Sequence, residues 1–163
     1  MASDDRKIAR HKTAIRRPSF SLPLKCLLRD GLVHETTTVF DYGCGHGQDI
    51  KLLRDMGVHC EGWDPVFQPQ SPKQRADVVN LGYVINVVEH AEERSQALRS
   101  AWELAEKLLV VSAQVKFAAS DRHSQYADGI LARLRLRPSG CSLCIREMSG
   151  GSDHTGKACF PVC

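Results

Sequence analysis

The sequence predicts an α/β fold, a doubly wound parallel sheet, and three observations carry that expectation. Short β-branched or apolar runs alternate with helical periodicity between about residues 36 and 113. A glycine-rich turn joins the first run to the helix that follows it. The last run, Leu108-Leu109-Val110-Val111-Ser112, is almost continuously apolar, as in a strand covered by helices on both faces. At 163 residues, 42% hydrophobic and 25% charged, the chain has the size and composition of one soluble domain, which excludes collagen-like and wholly disordered classes. No apolar run approaches the roughly 18–20 residues that cross a bilayer, and no apolar segment follows Asp4 and Asp5, so the expected location is the cytoplasm.

The elements follow in order. Pro23, Leu24, Leu27 and Leu28 space a short amphipathic helix that Gly31 stops. Thr37-Thr38-Val39-Phe40 is the first strand. Ile50, Leu53 and Met56 mark one face of a helix from Gln48, closed by Gly57. Val58 to Asp64 reads as a second strand ending in an acid, and Asp77-Val78-Val79-Asn80-Leu81 as a buried third. From Ala91 to Lys107, the positions Ala97, Ala101, Leu104 and Ala105 form a helix face leading into the strand at Leu108. The total is about four core strands with three or four helices.

The densest chemical signal is Asp41-x-Gly43-x-Gly45-x-Gly47 between the first strand and its helix. A sharp strand-to-helix turn needs residues that tolerate positive φ, and bare glycine backbone admits a ligand closely. Asp41 could attract a cation or accept from an amine. Asp64, on the neighbouring strand tip, could take the hydroxyls of a ribose. The dinucleotide fingerprint Gly-x-Gly-x-x-Gly is not met, because Gln48 stands where its third glycine belongs.

Over residues 36–113, this acid-plus-glycine spacing resembles motif I of the class I S-adenosylmethionine-dependent methyltransferases. The resemblance implies a Rossmann-like sheet with S-adenosylmethionine as cofactor. It implies a cofactor pocket at Asp41, Gly43, Gly45, Gly47 and Asp64, with Asn80 and Leu81 lining it from the next strand end. A longer series of matches runs from about Ile8 to Ala132. It includes Ile8 to Pro18, Val39 to Gly47, Gly62-Trp63-Asp64-Pro65 and Ala76 to Val87. That series is similar to the N-terminal part of the DNA phosphorothioation-associated methyltransferase family, which implies methyl transfer connected with DNA modification.

Two departures matter. Only twelve residues separate Asp64 from Asp77, and Pro65, Pro69 and Pro72 among them forbid a helix and disfavour a strand. The third strand of a full methyltransferase sheet is therefore expected to be shortened or lost, and adenine recognition with it. Asn80-Leu81-Gly82-Tyr83 stands where DNA amino-methyltransferases carry Asn-Pro-Pro-Tyr, which makes Asn80 and Tyr83 weak catalytic candidates. The competing assignment makes Asn80 a structural strand end. His46 reads as an exposed filler of the loop. Glu89, His90 and Glu92 read as an acidic helix start, and Cys44 and Cys60 as packing residues.

The termini differ from this middle. Residues 1–29 hold eight Lys/Arg against two Asp, leaving the remainder net negative. Arg6, Lys7, Arg10, Lys12, Arg16 and Arg17 are the residues through which a basic arm would engage DNA phosphates. Four of the seven cysteines crowd into the last 23 residues. Cys141, Cys144, His154, Cys159 and Cys163 have zinc-ligand chemistry, but one Cys-x-x-Cys with irregular partners is too weak for a metal assignment. The expected organisation is a basic arm (1–20), a methyltransferase-like domain (21–130) and an irregular Cys/Gly-rich tail (131–163). The tail reads as frameshifted or disordered, so the sheet is expected to be incomplete, lacking its C-terminal strands, and the enzyme poorly active. The alternative is a non-catalytic S-adenosylmethionine- or nucleotide-binding module, or a nucleic-acid-binding protein.

Overall fold

The computed structural model describes residues 10–114, together with 123–126, 129–132, 141–147 and 159–160. After a 3-10 turn at Arg10–Thr13 come α1 (Leu22–Arg29), β1 (Val39–Tyr42), α2 (Gln48–Asp55), β2 (Cys60–Trp63) and β3 (Ala76–Gly82). These are followed by α3 (Val84–Val87), α4 (Ala91–Leu104), β4 (Ala105–Gln114), β5 (His123–Tyr126), β6 (Gly129–Ala132), β7 (Cys141–Glu147) and β8 (Cys159–Phe160). The main sheet runs β2-β1-β3-β4-β7-β8, and β5 pairs with β6 in a separate two-stranded sheet. The first four strands are parallel. Their order reverses direction between β1 and β3, which makes this boundary the topological switch point of a Rossmann-like sheet.

Strand residues sort by parity into two layers. One face of the sheet carries Val39, Val78, Leu108 and Val110, packed with Leu24 and Leu27 of α1 and Ile50 and Leu53 of α2. The other carries Phe40, Val79, Leu81 and Leu109, packed with Ala101 of α4 and the partly buried Val84 and Ile85 of α3. At the amino ends of the strands, Asp77 ties the sheet together. Its Oδ2 accepts from the Thr38 amide at 3.0 Å and hydroxyl at 3.1 Å, and its Oδ1 lies 2.7 Å from Lys107 Nζ. The Lys107 ammonium and then the Thr38 amide hold this carboxyl below its ordinary range.

Four parallel strands stand where the sequence places them, and one boundary differs. The helix expected over Ala91–Lys107 ends at Leu104, and Ala105 opens β4 by pairing with Ala76. A buried Ala105 suits a helix face and a sheet face equally, so periodicity could not locate the change. Between Trp63 and Ala76 there is no helix and no ladder strand, only an isolated bridge between Asp64 and Gln68, as the prolines predict. β2 is accordingly the rim of the sheet. Arg54 Nε donates to the Cys60 carbonyl at 2.7 Å and the Gln68 amide to the Asp64 carbonyl at 3.1 Å along it.

Beyond the four parallel core strands, β7 pairs antiparallel with β4 from Leu108↔Glu147 to Gln114↔Cys141, and β8 pairs with β7. Cys141, Leu143 and Ile145 recur two apart, a short strand pattern that the glycine- and cysteine-rich composition around it obscured. The cysteine-rich metal candidates lie outside the residues whose side chains are described. Arg6 and Lys7 also fall outside the described residues. Among those described, no helix is long and apolar enough to cross a membrane.

Candidate functional site

The glycine turn leaves β1 at the switch point. Gly43, Gly45 and Gly47 all take positive φ (82°, 54° and 71°), and Gly47 is the residue from which α2 starts. At Gly43 the need for glycine is double. Besides the left-handed backbone, a Cβ there would lie 2.4 Å from Val84 Cγ2, inside contact distance. Gly62 in β2 answers a different demand. A Cβ there would meet Ile50 Cδ1 at 2.6 Å and the Asp41 carbonyl at 2.8 Å, so its bare backbone lets the rim strand and α2 close on the turn.

Asp64 faces this turn. Its Oδ2 accepts from the Gly45 amide at 3.0 Å, while Oδ1 accepts from the Val66 and Phe67 amides, both at 2.9 Å. One carboxylate therefore fixes both the glycine turn and the chain leaving β2. With about four acceptor positions on a carboxylate, three are already used by backbone. The chain after Asp64 folds back over the turn: the Phe67 ring lies 4.1 Å from the exposed His46 ring between centroids. A Cβ on Gly47 would lie 2.8 Å from Gln68 Nε2.

Asp41 and Asn80 form the floor. They are register partners on adjacent strands, 6% and 2% exposed, and Asn80 Nδ2 donates to Asp41 Oδ1 at 2.8 Å. Burial pushes the Asp41 carboxyl up to about 7, aided by the Asp49 carboxylate and opposed by the Asn80 bond and the Arg17 charge. Ser112, fully buried in β4, shares the parity of Asn80 on its own strand. Its Oγ and Asn80 Oδ1 both lack a hydrogen-bond partner. Such buried polar atoms are costly unless something satisfies them. The carboxyl ends of β1, β3 and β4 thus present a polar row, Asp41, Asn80 and Ser112, on one face of the sheet. Leu81 takes the opposite parity and is packed in the other layer.

Tyr83 caps β3 with φ 61°, the one non-glycine residue in the left-handed region among those described, and its amide donates to the Ser112 carbonyl at 2.9 Å. A bulky residue in this region is held there by its surroundings and marks sites under constraint. Burial and then the Asp41 charge push the Cys44 thiol up to about 12. Cys60 is raised as well, by the same causes. Both thiols are thus shifted away from the thiolate form.

Sequence reading missed several partners. Ser112 was visible as the polar end of an otherwise apolar run, and the register sets it beside Gly82, two residues beyond the level of Asp41 and Asn80. Asp49, whose Oδ1 accepts from the Ser21 amide at 2.9 Å, looked like an ordinary first-turn acid. Glu89 was read as part of an acidic helix start, but Arg10 Nε donates to its Oε2 at 2.6 Å and Arg10 Nη1 to Glu93 Oε2 at 2.6 Å. Arg10, assigned from sequence to the DNA-binding set, is thus engaged within the chain, whereas Lys12 and Arg16 are exposed. A larger cavity of about 410 Å³ lies between Leu28, Val33, Met56 and Val58, at the opposite end of the strands from the glycine turn.

No protein-family model and no curated protein sequence matches this chain. Among solved structures it is similar to magnesium protoporphyrin IX methyltransferase from Synechocystis PCC 6803 with bound SAM. The TM-score is 0.46 at 16% identity, over 77% of this chain and 76% of that one. It is also similar to a SAM-dependent methyltransferase from Archaeoglobus fulgidus, with a TM-score of 0.39 at 18% identity, over 55% of this chain and 51% of that one. A third is the [4+2]-cyclase SpnF, with a TM-score of 0.41 at 18% identity, over 62% and 47%. The chain spans about three quarters of the first and about half of the other two. The fold assignment stands on the strand order and register of the chain itself.

Proposed function

We propose that this chain binds S-adenosylmethionine at the switch point and belongs to the machinery of methyl transfer. The observation that carries the reading is the Gly45 amide bonded to the Asp64 carboxylate, which sets a bare-backbone turn and an acid side by side above the buried Asp41–Asn80 pair. Asp41, Gly43, Gly45, Gly47, Asp64 and Asn80 would hold the cofactor. The ionised Asp41 suits the cofactor's positive charges, and the glycine turn gives its amino-acid part close backbone approach. Bound there, the sulfonium supplies an already activated methyl group, so positioning an acceptor is most of what the protein must add. Two of the similar solved structures carry methyltransferase names, one of them with SAM bound, which supports the same reading.

The finer proposal is that the acceptor belongs to DNA undergoing backbone sulfur modification. It rests on the resemblance of residues 8–132 and on the exposed Lys12 and Arg16 of the basic arm. A second reading is a binding module that transfers nothing: the Asn80 amide nitrogen is bonded to the buried Asp41, which suits a structural strand end, although the unpartnered Asn80 Oδ1 is the atom that would accept from an acceptor amine. Calorimetric titration with S-adenosylmethionine, with Asp64→Ala as the control, tests the first claim. Saturable heat that the substitution abolishes supports it, and no heat from the folded wild type rejects it. Transfer of labelled methyl to DNA then separates enzyme from binding module.

A further inference from the structure

Residues 10–21 belong to neither core layer except at their end, where Phe20 and Ser21 reach α1 and α2. They cross above the carboxyl ends of the strands, fastened on both sides of the switch point. On one side the Arg10 guanidinium bridges Glu89 and Glu93 at the start of α4. On the other, the Ser21 amide is bonded to Asp49 in the first turn of α2. Between these fastenings the segment lies on the glycine turn. Ala14 Cβ is 3.3 Å from the position a Cβ on Gly45 would take. Ile15 and Arg17 close over Cys44, His46, Gln48 and Asp49, leaving about 50 Å³. Pockets for small organic ligands run to about 300–1,000 Å³. A nucleoside-sized molecule therefore cannot reach the turn from this side with the segment in place.

The two fastenings differ in kind. Ser21–Asp49 adjoins buried packing. The Arg10 side chain is 37% exposed and that of Glu93 49%, although Glu89 is only 9% exposed. The Arg10–Glu93 pair, exposed on both sides, contributes about 1 kcal/mol or less and weakens with salt. The Arg10 end is the one built to release.

We propose that residues 10–18 form a latch over the glycine turn, pinned by Arg10 to Glu89 and Glu93 and hinged at Ser21, that swings away to admit the ligand. The ligand's identity rests on the cofactor reading above, whereas the latch itself does not. Its test is mass-spectrometric timing of trypsin cleavage at the Arg16–Arg17 bond in the ligand-free protein, paired with stopped-flow binding of S-adenosylmethionine. The comparison is between wild type, Glu93→Gln and the Glu89→Gln/Glu93→Gln pair. These substitutions leave every trypsin site intact, and thermal melts verify that each protein is folded. Cleavage is expected to accelerate several-fold in the double variant, less in the single one, and in wild type with added salt; the association rate should rise in the same order. Equal cleavage across all three proteins, with no salt response, would overturn the latch. Cleavage that follows the expected order in proteins that show no binding would instead keep the latch and reject the cofactor.

Discussion

Asn80 Nδ2 donates to Asp41 Oδ1 at 2.8 Å across the β1–β3 boundary, and both side chains are almost wholly out of solvent. A carboxyl so placed is more easily kept neutral than ionised, and the amide is the neighbour that most favours its charge. The site therefore holds a carboxyl whose protonation would be linked to the binding of a charged ligand beside it.

With Asp41 at about 7 in the folded chain against 3.8 when unfolded, the native state retains a proton that the unfolded state has lost. Stability attributable to this group is present below about pH 4 and falls as pH rises towards 7, by a few kcal/mol at most. Urea unfolding at pH 5 and pH 8 should show the loss, and Asp41→Asn should flatten it. A pH-independent midpoint in the wild type would contradict the assignment.

Binding of a cationic ligand should have the opposite slope. The ionised Asp41 attracts it, so affinity for S-adenosylmethionine is expected to tighten as pH rises through about 7, with release of a proton. Calorimetry in buffers of different ionisation enthalpy measures that proton directly.

Asp64→Ala removes the acceptor for the Gly45, Val66 and Phe67 amides together. At about 1 kcal/mol for each lost bond, the expected cost is about 2–3 kcal/mol, with weakened cofactor binding. Chemical-denaturant titration reads the first quantity. A cost below about 0.5 kcal/mol would mean that water replaces all three bonds.

Gly43→Ala combines a left-handed backbone with a collision on Val84. The substitution should destabilise by roughly 2 kcal/mol or more, of which about 1–2 kcal/mol is backbone strain. Adding Val84→Ala should recover the collision and leave the strain, a non-additive pair visible in a double-mutant cycle.

Lys73 Nζ sits 3.7 Å above the Trp63 ring and 3.0 Å from the Tyr42 hydroxyl. Lys73→Ala should cost about 0.5–1 kcal/mol and alter the Trp63 emission. An unchanged spectrum would show that the ammonium does not rest on the ring in solution.

What was legible in the sequence follows from the range over which each signal acts. The glycine turn, the acid after β2 and the absence of a strand before Ala76 are local consequences of glycine and proline, and were readable from neighbouring residues. The Asp41–Asn80 bond joins positions 39 residues apart and the Arg10–Glu89 pair positions 79 apart. No periodicity connects such positions. Leu81 could be assigned to the pocket from its neighbour Asn80, but strand parity sends the two side chains to opposite faces. The same alternation identifies Ser112 once the register of β3 and β4 is known. Strand β7 needed the free edge of β4 as context, because its own residues pass for part of a loop.

A sheet that begins at β2 offers a row of peptide groups to any passing chain, and such margins invite stacking between molecules. Here two contacts, Arg54 on the Cys60 carbonyl and the Gln68 amide on the Asp64 carbonyl, occupy acceptors along that margin. Together α2 and the proline-rich return thus leave fewer free acceptors on that margin for another chain to pair with. Weakening these contacts would show first as turbidity on concentration, before any change in ligand affinity.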